Sequence, residues 1–348
     1  MKRTISLTAA LSAAVLFLLP SCLGKGKNTP LNPQIPPIST LTGKVEKRTT
    51  TRLDANLKEE SRIEETFRKS GGLLSKLTYT KASDGTLKVT DRLTNTYDEQ
   101  GNRLIQEHEV TKEGGQTERT RLKYTYRAFS PSVSYVSRID EYDTQDRLVK
   151  STAYELEGSR LQREIETTYS YEGGAQKPKV VLRTSYDFIS ALIVGRTFQL
   201  VPNPKNPQQE IALWHKQATF RTDYYGRKVY EEVLSYDTTQ PAGQQDLKKP
   251  LGATGSTWRY GAMGDVAVEL RETHGRRSQE ELDKDPQHKL TYLKLIDRYY
   301  YEVKYTQTNT EGFPTKMEVT VEKGVAKTKT TYTANISYTY FADPAPKN

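Results

Sequence analysis

The side chains that could do chemistry in this chain are few and scattered. The histidines are dispersed, with no two at the spacing of a metal site: His108, His215, His274 and His288. Motifs of the Gly-x-Ser-x-Gly, Ser-x-x-Lys, His-Glu-x-x-His and phosphate-loop types are absent. Carboxylate pairs such as Asp140 with Asp143 could do acid–base work, but most carboxylates should be solvated partners in turns or across strands. We therefore expect no catalytic residue, no cofactor and no metal site, and hence a protein that is not an enzyme.

The single cysteine, Cys22, stands in a context that predicts lipid chemistry. Lys2 and Arg3 precede an apolar run, Leu7 to Leu19, which is the architecture of an export signal. The run has about 13 residues, whereas a membrane-spanning helix needs about 20. It ends at Pro20 rather than in a positive stop-transfer cluster. The segment is therefore predicted to be a removable signal peptide, residues 1–21.

The tetrad Leu19-Pro20-Ser21-Cys22 resembles the lipobox of bacterial lipoprotein precursors. This resemblance implies cleavage before Cys22 and lipid such as palmitate on that cysteine, so that the protein reaches its membrane partner through the anchor. Leu23 follows instead of the aspartate that retains some lipoproteins at the inner membrane, so we expect the outer membrane. Gly24 to Lys27 lacks the acidic residues that mark surface-exposed lipoproteins in some lineages, which favours the periplasmic face over the cell surface.

Composition divides the remaining chain into a tether and a folded part. Residues 22–43 are rich in proline and are predicted to form an extended tether, followed by one β domain over 44–343 and a short tail at 344–348. The net charge is +9, from 52 basic and 43 acidic residues. Such a dense surface of mixed sign is not a nucleic-acid stripe, so no nucleic-acid partner is expected. Mild attraction to an anionic membrane or wall polymer fits the excess of positive charge.

Internal repeats organise the folded part. The segment from Tyr97 to Leu104 aligns with the segment from Tyr142 to Leu148, and each is followed by a Tyr-x-Tyr pair, at 124–126 and at 169–171. The period is about 45 residues, and a third copy ends at Tyr338-Thr339-Tyr340. In this alignment Tyr126 and Tyr171 are equivalent, and both are predicted to lie on the buried side of the sheet. Asp98 and Asp143 begin the repeat turns, where aspartate caps backbone donors.

Alternation of apolar and polar residues defines the secondary structure. Leu122, Tyr124 and Tyr126 alternate with polar neighbours, as expected for a half-buried strand. Glycines between such segments permit tight hairpins. We therefore predict an all-β fold, in which successive antiparallel hairpins form an extended, twisted or curled sheet. An apolar insert near 187–215 is either a buried strand or a flap beside a hydrophobic groove, and a short helix is predicted at Ser278 to Leu282.

The phrase Tyr-Asp-x-x-Gly-x-x-Leu at Tyr97 to Leu104, degenerate at Tyr142 to Leu148, is similar to the YD repeats of bacterial Rhs-type proteins and of some small lipoproteins. The similarity implies stacked strands and no activity. Three functions remain open. The first is a cell-envelope scaffold that binds protein or glycan, since tyrosine combines contact area with a polar tip. The second is a lipid carrier that uses an apolar concave sheet face near Phe188 to Val201. The third is a carboxylate-dependent hydrolase.

Overall fold

A computed structural model describes residues 44–341, except 55, 113, 132, 173, 190, 224–225, 241–244, 248, 262–265 and 285–292. The predicted signal peptide, Cys22, the tether and the tail lie outside the described residues. Within the described part the chain is all-β, with one five-residue helix, α1.

The strands follow one another along the chain, each antiparallel to the next. Their bounds are β1 Val45–Leu53, β2 Glu59–Phe67, β3 Leu73–Lys81, β4 Leu87–Tyr97, β5 Arg103–Thr111, β6 Thr117–Ser130, β7 Val133–Tyr142, β8 Leu148–Glu157, β9 Arg160–Glu172, β10 Ala175–Ile189, β11 Leu192–Asn203, β12 Asn206–Thr222, β13 Lys228–Ser235, β14 Gly252–Tyr260, β15 Val266–Arg276, α1 Gln279–Asp283, β16 Leu293–Thr308, β17 Pro314–Lys323 and β18 Thr328–Tyr340.

The sheet closes on itself. β1 pairs with β2 on one side and with β18 on the other, so the 18 strands of the described residues form a closed antiparallel barrel. The prediction of an extended, twisted or curled sheet is therefore wrong. Closure satisfies the backbone donors and acceptors that a sheet edge would leave unpaired, and it removes a template for aggregation. We call the end at which β1 begins and β18 ends the base, and the opposite end the crown.

Directly paired residues share a face of the sheet, so the register separates the lumen from the outer surface. Arg48, Glu65 and Lys76 follow one another across β1, β2 and β3 and line one cavity with Tyr301 of β16. A cavity shared by strands that far apart lies on the concave side. The strand pairings from Lys76 on β3 round to Tyr301 on β16 keep to one face of the sheet. Tyr154 and its partner Glu164 belong to this series, so they also face the lumen.

The outer face is strongly charged. Ion pairs bridge neighbouring strands there, for example Lys47 with Glu64 at 3.0 Å and Arg119 with Glu107 at 2.5 Å. Charges at such positions would be costly against hydrocarbon, so this pattern is that of a water-facing sheet. No helix in the described part of the chain has the length and apolar character to cross a membrane.

Apolar packing is concentrated near the base. One cluster joins residues of β8 to β12, namely Tyr154, Leu161, Tyr186, Ile193, Ala218 and Phe220. The other joins β1, β2 and the turn before β17, namely Val45, Phe67 and Phe313, with Tyr338 and Tyr340 against it. Val45 and Phe220 are fully buried. Among the described residues, these two clusters therefore pack the barrel wall beside its base.

Among the described residues, eight turns share one backbone geometry. In each, the first residue donates its N–H to the carbonyl four residues later, and the fourth residue has positive φ and donates to the carbonyl of the first. Gly101 has φ 89° in one such turn, and Asp146 takes the same place in another with φ 58°. Asp98 accepts the Asn102 N–H at 2.7 Å, and Asp143 accepts that of Arg147 at 3.0 Å. The predicted capping roles of Asp98 and Asp143 are confirmed.

The repeat spans three strands, so successive copies are oriented differently in the barrel. Tyr97 ends β4 and Tyr142 ends β7, so one copy turns at the base and the next at the crown. Because three is odd, successive copies run in opposite directions along the barrel axis. From copy to copy the chain continues in the same direction round the barrel. When the direction of a copy along the barrel axis is reversed, its inner and outer faces must therefore be exchanged.

Tyr126 and Tyr171 show this exchange. Tyr126 pairs with Val136, which packs on the lumen cluster, so Tyr126 faces the lumen. On β9, Thr168 faces the lumen as the partner of Lys150, and Tyr171 lies three residues further along the same strand. Because side chains alternate between the faces, an odd separation places Tyr171 on the opposite face. Tyr171 is therefore on the outer face, and the prediction that both tyrosines share the buried side is wrong. Burial raises the pKa of the Tyr126 phenol to about 12.

Several tyrosines tie strand ends together. Their hydroxyls donate to the carbonyl of the first residue of the preceding strand: Tyr97 to Leu73, Tyr171 to Leu148, Tyr260 to Lys228 and Tyr338 to Pro314, at 2.7 to 3.1 Å. Arginines lie over three of the rings, with Arg68, Arg147 and Arg227 at 4.2 to 5.1 Å from the centroids. The recurrence of tyrosine in the repeats is thus explained by hairpin architecture.

The two departures from the repeat both have defined structures. Ser278 caps α1, since its hydroxyl accepts the Glu281 N–H while the Glu281 carboxylate accepts the Ser278 N–H, a capping box. This confirms the predicted short helix. The apolar segment from Phe188 to Val201 is the end of β10 and most of β11, inside the sheet.

Candidate functional site

The wall of the lumen carries a cavity of about 290 Å³ between β15–β18 and β1–β3. Its aromatic and apolar lining comes from Tyr301, Val303 and Tyr305 of β16, Met317 of β17, and Ile336 and Tyr338 of β18. Alternation along each strand places these residues on the same face, with Glu302, Lys304 and Ser337 between them on the outer face. The cavity lies just above the cluster around Phe313, so its floor is apolar.

Strands β1, β2 and β3 add charged side chains to this cavity. The Arg48 side chain donates to the Glu65 carboxylate at 2.7 Å, and both side chains are largely buried. Lys76 lies beside Glu65 in the register and lines the same cavity. Among the described residues, no ion-pair partner is recorded within 4.0 Å of the Lys76 ammonium group. The cavity thus offers a ligand tyrosine rings together with cations and a carboxylate.

A second polar group lies on the far wall, above the cluster around Phe220. Tyr186 donates to the Glu164 carboxylate at 2.9 Å, and Lys150 lies 3.8 Å from Glu166 and 3.4 Å from Glu141. Burial raises the pKa of Glu164, although the Tyr186 hydroxyl and Lys216 both favour the charged carboxylate. Glu166 has a lysine close by. Two carboxylates on one face thus lie in different environments, and no motif in the sequence predicts this pair.

Glu164 should make the stability of the barrel depend on pH. Its folded-state pKa is raised, so between its usual pKa and the raised value the folded protein binds more protons than the unfolded chain, and stability falls as pH rises through that window. Glu164→Gln keeps an acceptor for Tyr186 and removes the titration. We expect this variant to have the higher melting temperature at pH 8 and no such advantage at pH 4, in thermal unfolding followed by circular dichroism. An equal change at both pH values would contradict the assignment.

The carboxylates singled out from sequence do not converge. Asp140 accepts from Arg138 at 2.7 Å on the outer face, whereas Asp143 is held within its own turn and bonds the Arg147 guanidinium at 2.7 Å. The Asp143 pKa is lowered by the hydrogen bonds from the Arg147 side chain and backbone, which outweigh burial. Both groups are occupied with structural partners and do not form an acid–base pair.

The described histidines are separate from one another. His108 lies on the lumen face 3.1 Å from Asp91, and His274 pairs with Ala253 on the outer face. His215 occupies a bulge in β12, where burial lowers its pKa. His288 lies outside the described residues. Within the described ranges, no group of three His, Cys, Asp or Glu side chains could hold a metal ion.

The segment from Phe188 to Val201 contributes packing to the wall, although Ile189 and Leu192 at its base end are exposed. Ile193 belongs to the cluster with Phe220, and the Tyr186 ring lies over Gly195. A Cβ at Gly195 would stand 2.9 Å from that ring, so glycine is required by the close approach. The hydroxyls of Thr184 and Thr197 are 2.8 Å apart beneath it. This part of the wall is filled by its own side chains.

Comparisons with known proteins give distant structural matches. No protein-family model matches the chain, and no curated protein matches it. A porin-like protein from Bacteroides vulgatus has 10% identity and a TM-score of 0.35, covering 76% of this chain and 97% of that one. A porin-like protein from Bacteroides uniformis has 11% identity and a TM-score of 0.23, covering 88% and 100%.

A further match comes from a toxin assembly. The Tc holotoxin pore of Photorhabdus luminescens has 12% identity and a TM-score of 0.21, covering 81% of this chain and 15% of that one. None of these matches names an enzymatic activity. At such low identities and TM-scores these matches carry no conclusion about function.

Proposed function

We propose that this protein is a non-enzymatic cell-envelope lipoprotein, whose barrel binds a short glycan in the lumen. The observation that carries the proposal is the cavity that Tyr301, Tyr305 and Tyr338 line together with the charged residues Arg48, Glu65 and Lys76. Aromatic rings stack on the apolar faces of sugars, while cations and carboxylates hydrogen bond to hydroxyl and acidic groups. A glycan needs both kinds of contact, and this cavity supplies both.

The same observations weigh against the other ligand classes. A lipid carrier needs an unbroken apolar cavity, but the arginine, lysine and glutamate of this wall would be desolvated by an acyl chain. Docking of a partner protein would need an open sheet face with free tyrosines. The sheet is closed, and the hydroxyls of several tyrosines already donate hydrogen bonds to backbone carbonyls at strand ends. We therefore favour glycan over protein as the ligand.

Glu164 and Glu166 favour hydrolysis as the second candidate function. A carboxyl group with a raised pKa can act as a general acid, and a neighbouring ionised carboxylate can act as base or nucleophile. Glu164 is engaged by Tyr186 and lies beside a packed cluster, which favours a structural role. Release of reducing ends from any bound glycan, abolished by Glu164→Gln, would show the hydrolase and contradict the non-enzymatic proposal.

Adjacent tyrosines allow a matched test of lumen binding. Tyr301 faces the lumen and Tyr300 faces outward, on the same strand. A glycan array would identify a ligand, and titration calorimetry would measure its affinity. We expect Tyr301→Leu and Lys76→Met each to weaken binding by about tenfold, the loss of one good contact. Tyr300→Leu should leave the affinity unchanged. Equal effects at both tyrosines, or no binding by the parent protein, would contradict the proposal.

The lipid anchor is tested separately. Cys22→Ser removes the thioether-forming sulfur, so we expect complete loss of fatty-acid label and release of the protein from the membrane fraction. Metabolic labelling with a palmitate analogue, followed by fractionation of inner and outer membranes, measures both. Label retained by the Cys22→Ser protein would refute lipidation at this residue. Protease treatment of intact cells would test the periplasmic orientation, since protection is expected on that face.

A further inference from the structure

We propose that the base of the barrel binds an anionic lipid bilayer directly, in addition to any covalent lipid. The contact is made by Ile189 and Leu192, at the facing ends of β10 and β11, and by the arginines of the neighbouring hairpins. The proposal goes beyond the lumen ligand and does not depend on it. It fixes an orientation, with the barrel axis upright on the membrane and the crown turned away.

The apolar part of this surface is the hairpin tip. Ile189 ends β10 and is 54% exposed, and Leu192 begins β11 and is 36% exposed. Both large apolar side chains are thus open to solvent in the part of the barrel that the structure describes. Two further leucines are exposed at the same end, Leu74 at the start of β3 and Leu104 at the start of β5. The base therefore presents apolar side chains to whatever lies beneath it.

The charged part surrounds that tip. Arg127 near the end of β6, Arg160 at the start of β9 and Arg221 near the end of β12 are all exposed at the base. The carboxylates of the same arc are mostly engaged, since Asp187 pairs with Arg196 and Asp223 with Arg227. Glu157 is an exception, because it is exposed and its carboxylate accepts a hydrogen bond from uncharged Gln162 and not from a cation. Cations around an apolar tip match the chemistry of an anionic bilayer, which attracts each surface cation and accepts the apolar side chains.

The position of the chain start supports a bilayer over other occupants. Lys44 and Val45 lie at the base, so the segment that carries Cys22 approaches the barrel from this end. About 20 residues separate Cys22 from the barrel, enough to reach a membrane below the base without holding the barrel at a fixed angle. The crown also has exposed apolar residues, including Leu57 and Val325, but it points away from that attachment. It therefore provides the matched control.

The test uses the full chain with Cys22→Ser, so that no covalent lipid holds the protein. The probe is co-flotation with vesicles of phosphatidylcholine containing phosphatidylglycerol, compared with vesicles of phosphatidylcholine alone. We expect binding to the anionic vesicles only, weakened by added salt because the charges are at the surface. Ile189→Asp with Leu192→Asp should reduce binding by about tenfold or more, because the tip can no longer enter the interface. Arg127→Gln with Arg160→Gln should also reduce it.

The control variant carries Leu57→Asp with Val325→Asp at the crown and should bind as the parent does. Thermal unfolding of every variant checks that the barrel remains folded, since all four apolar positions are exposed. Equal losses from the base and crown variants would overturn the proposal, as would unchanged binding of the base variant or equal binding to neutral vesicles. These outcomes are independent of glycan binding and of labelling at Cys22, so failure of one proposal is distinguishable from failure of another.

Discussion

Replacing Phe220 with alanine is expected to lower the free energy of unfolding by about 3–5 kcal/mol, the range for buried aromatic side chains. Phe220 is fully buried in the cluster at the base of the lumen. Its ring meets Tyr186 edge to face with centroids 6.4 Å apart, and the Lys228 ammonium lies 5.0 Å above it. Alanine would leave a cavity between β10, β11 and β12 that a closed barrel cannot collapse to fill.

Thr219 provides the matched control for Phe220. It is the preceding residue on β12 and faces outward, paired with Val194 and Glu232. Thr219→Ala should cost about 0.5 kcal/mol or less, as at ordinary surface sites. Urea denaturation with tryptophan fluorescence would measure both variants, since Trp214 lies on the same strand. Similar losses at the two positions would contradict the assignment of β12 to a lumen face and an outer face.

Proline in β1 tests closure of the barrel. Thr49 pairs with Glu64 of β2 and Ser337 of β18, and Thr50 pairs with Ile63 and Ile336. In an antiparallel sheet, adjacent residues direct their N–H groups towards opposite neighbours. Thr49→Pro and Thr50→Pro therefore each break the ladder on one side. Each should destabilise the fold by at least about 3 kcal/mol, because a carbonyl of the ladder loses its donor and the proline ring crowds the neighbouring strand.

The outcome separates a closed barrel from an open sheet. If β1 were a free edge, one of the two prolines would fall on the unpaired side and would be tolerated. Glu99→Pro is the control, because Glu99 is the second residue of a turn that starts at Asp98, a position at which proline is favoured. We expect Glu99→Pro to unfold with the parent in thermal denaturation. Tolerance of Thr49→Pro or Thr50→Pro would refute pairing of β1 with both neighbours.

The sequence determined local structure well, because local structure depends on residues a few positions apart. Asp98 and Asp143 cap their turns, and positive φ at Gly101 marks a hairpin. Ser278 and Glu281 form the capping box of the helix that the sequence predicted. Alternation along β6 placed Leu122, Tyr124 and Tyr126 on one face. Each of these features needs only hydrogen bonds or periodicity within one segment. Lipidation of Cys22 stays a prediction from sequence.

Closure and the arrangement of the lumen were decided by the tertiary structure. Whether β18 returns to β1 depends on strand number, tilt and stagger accumulated over the whole sheet, which no local pattern encodes. The odd number of strands in each repeat placed Tyr171 on the outer face and Tyr126 on the lumen face, because successive copies run in opposite directions along the barrel axis. Closure also brought Arg48 of β1 and Tyr301 of β16 to one cavity. Residues far apart in the chain meet there because closing the barrel makes their strands neighbours in an arc.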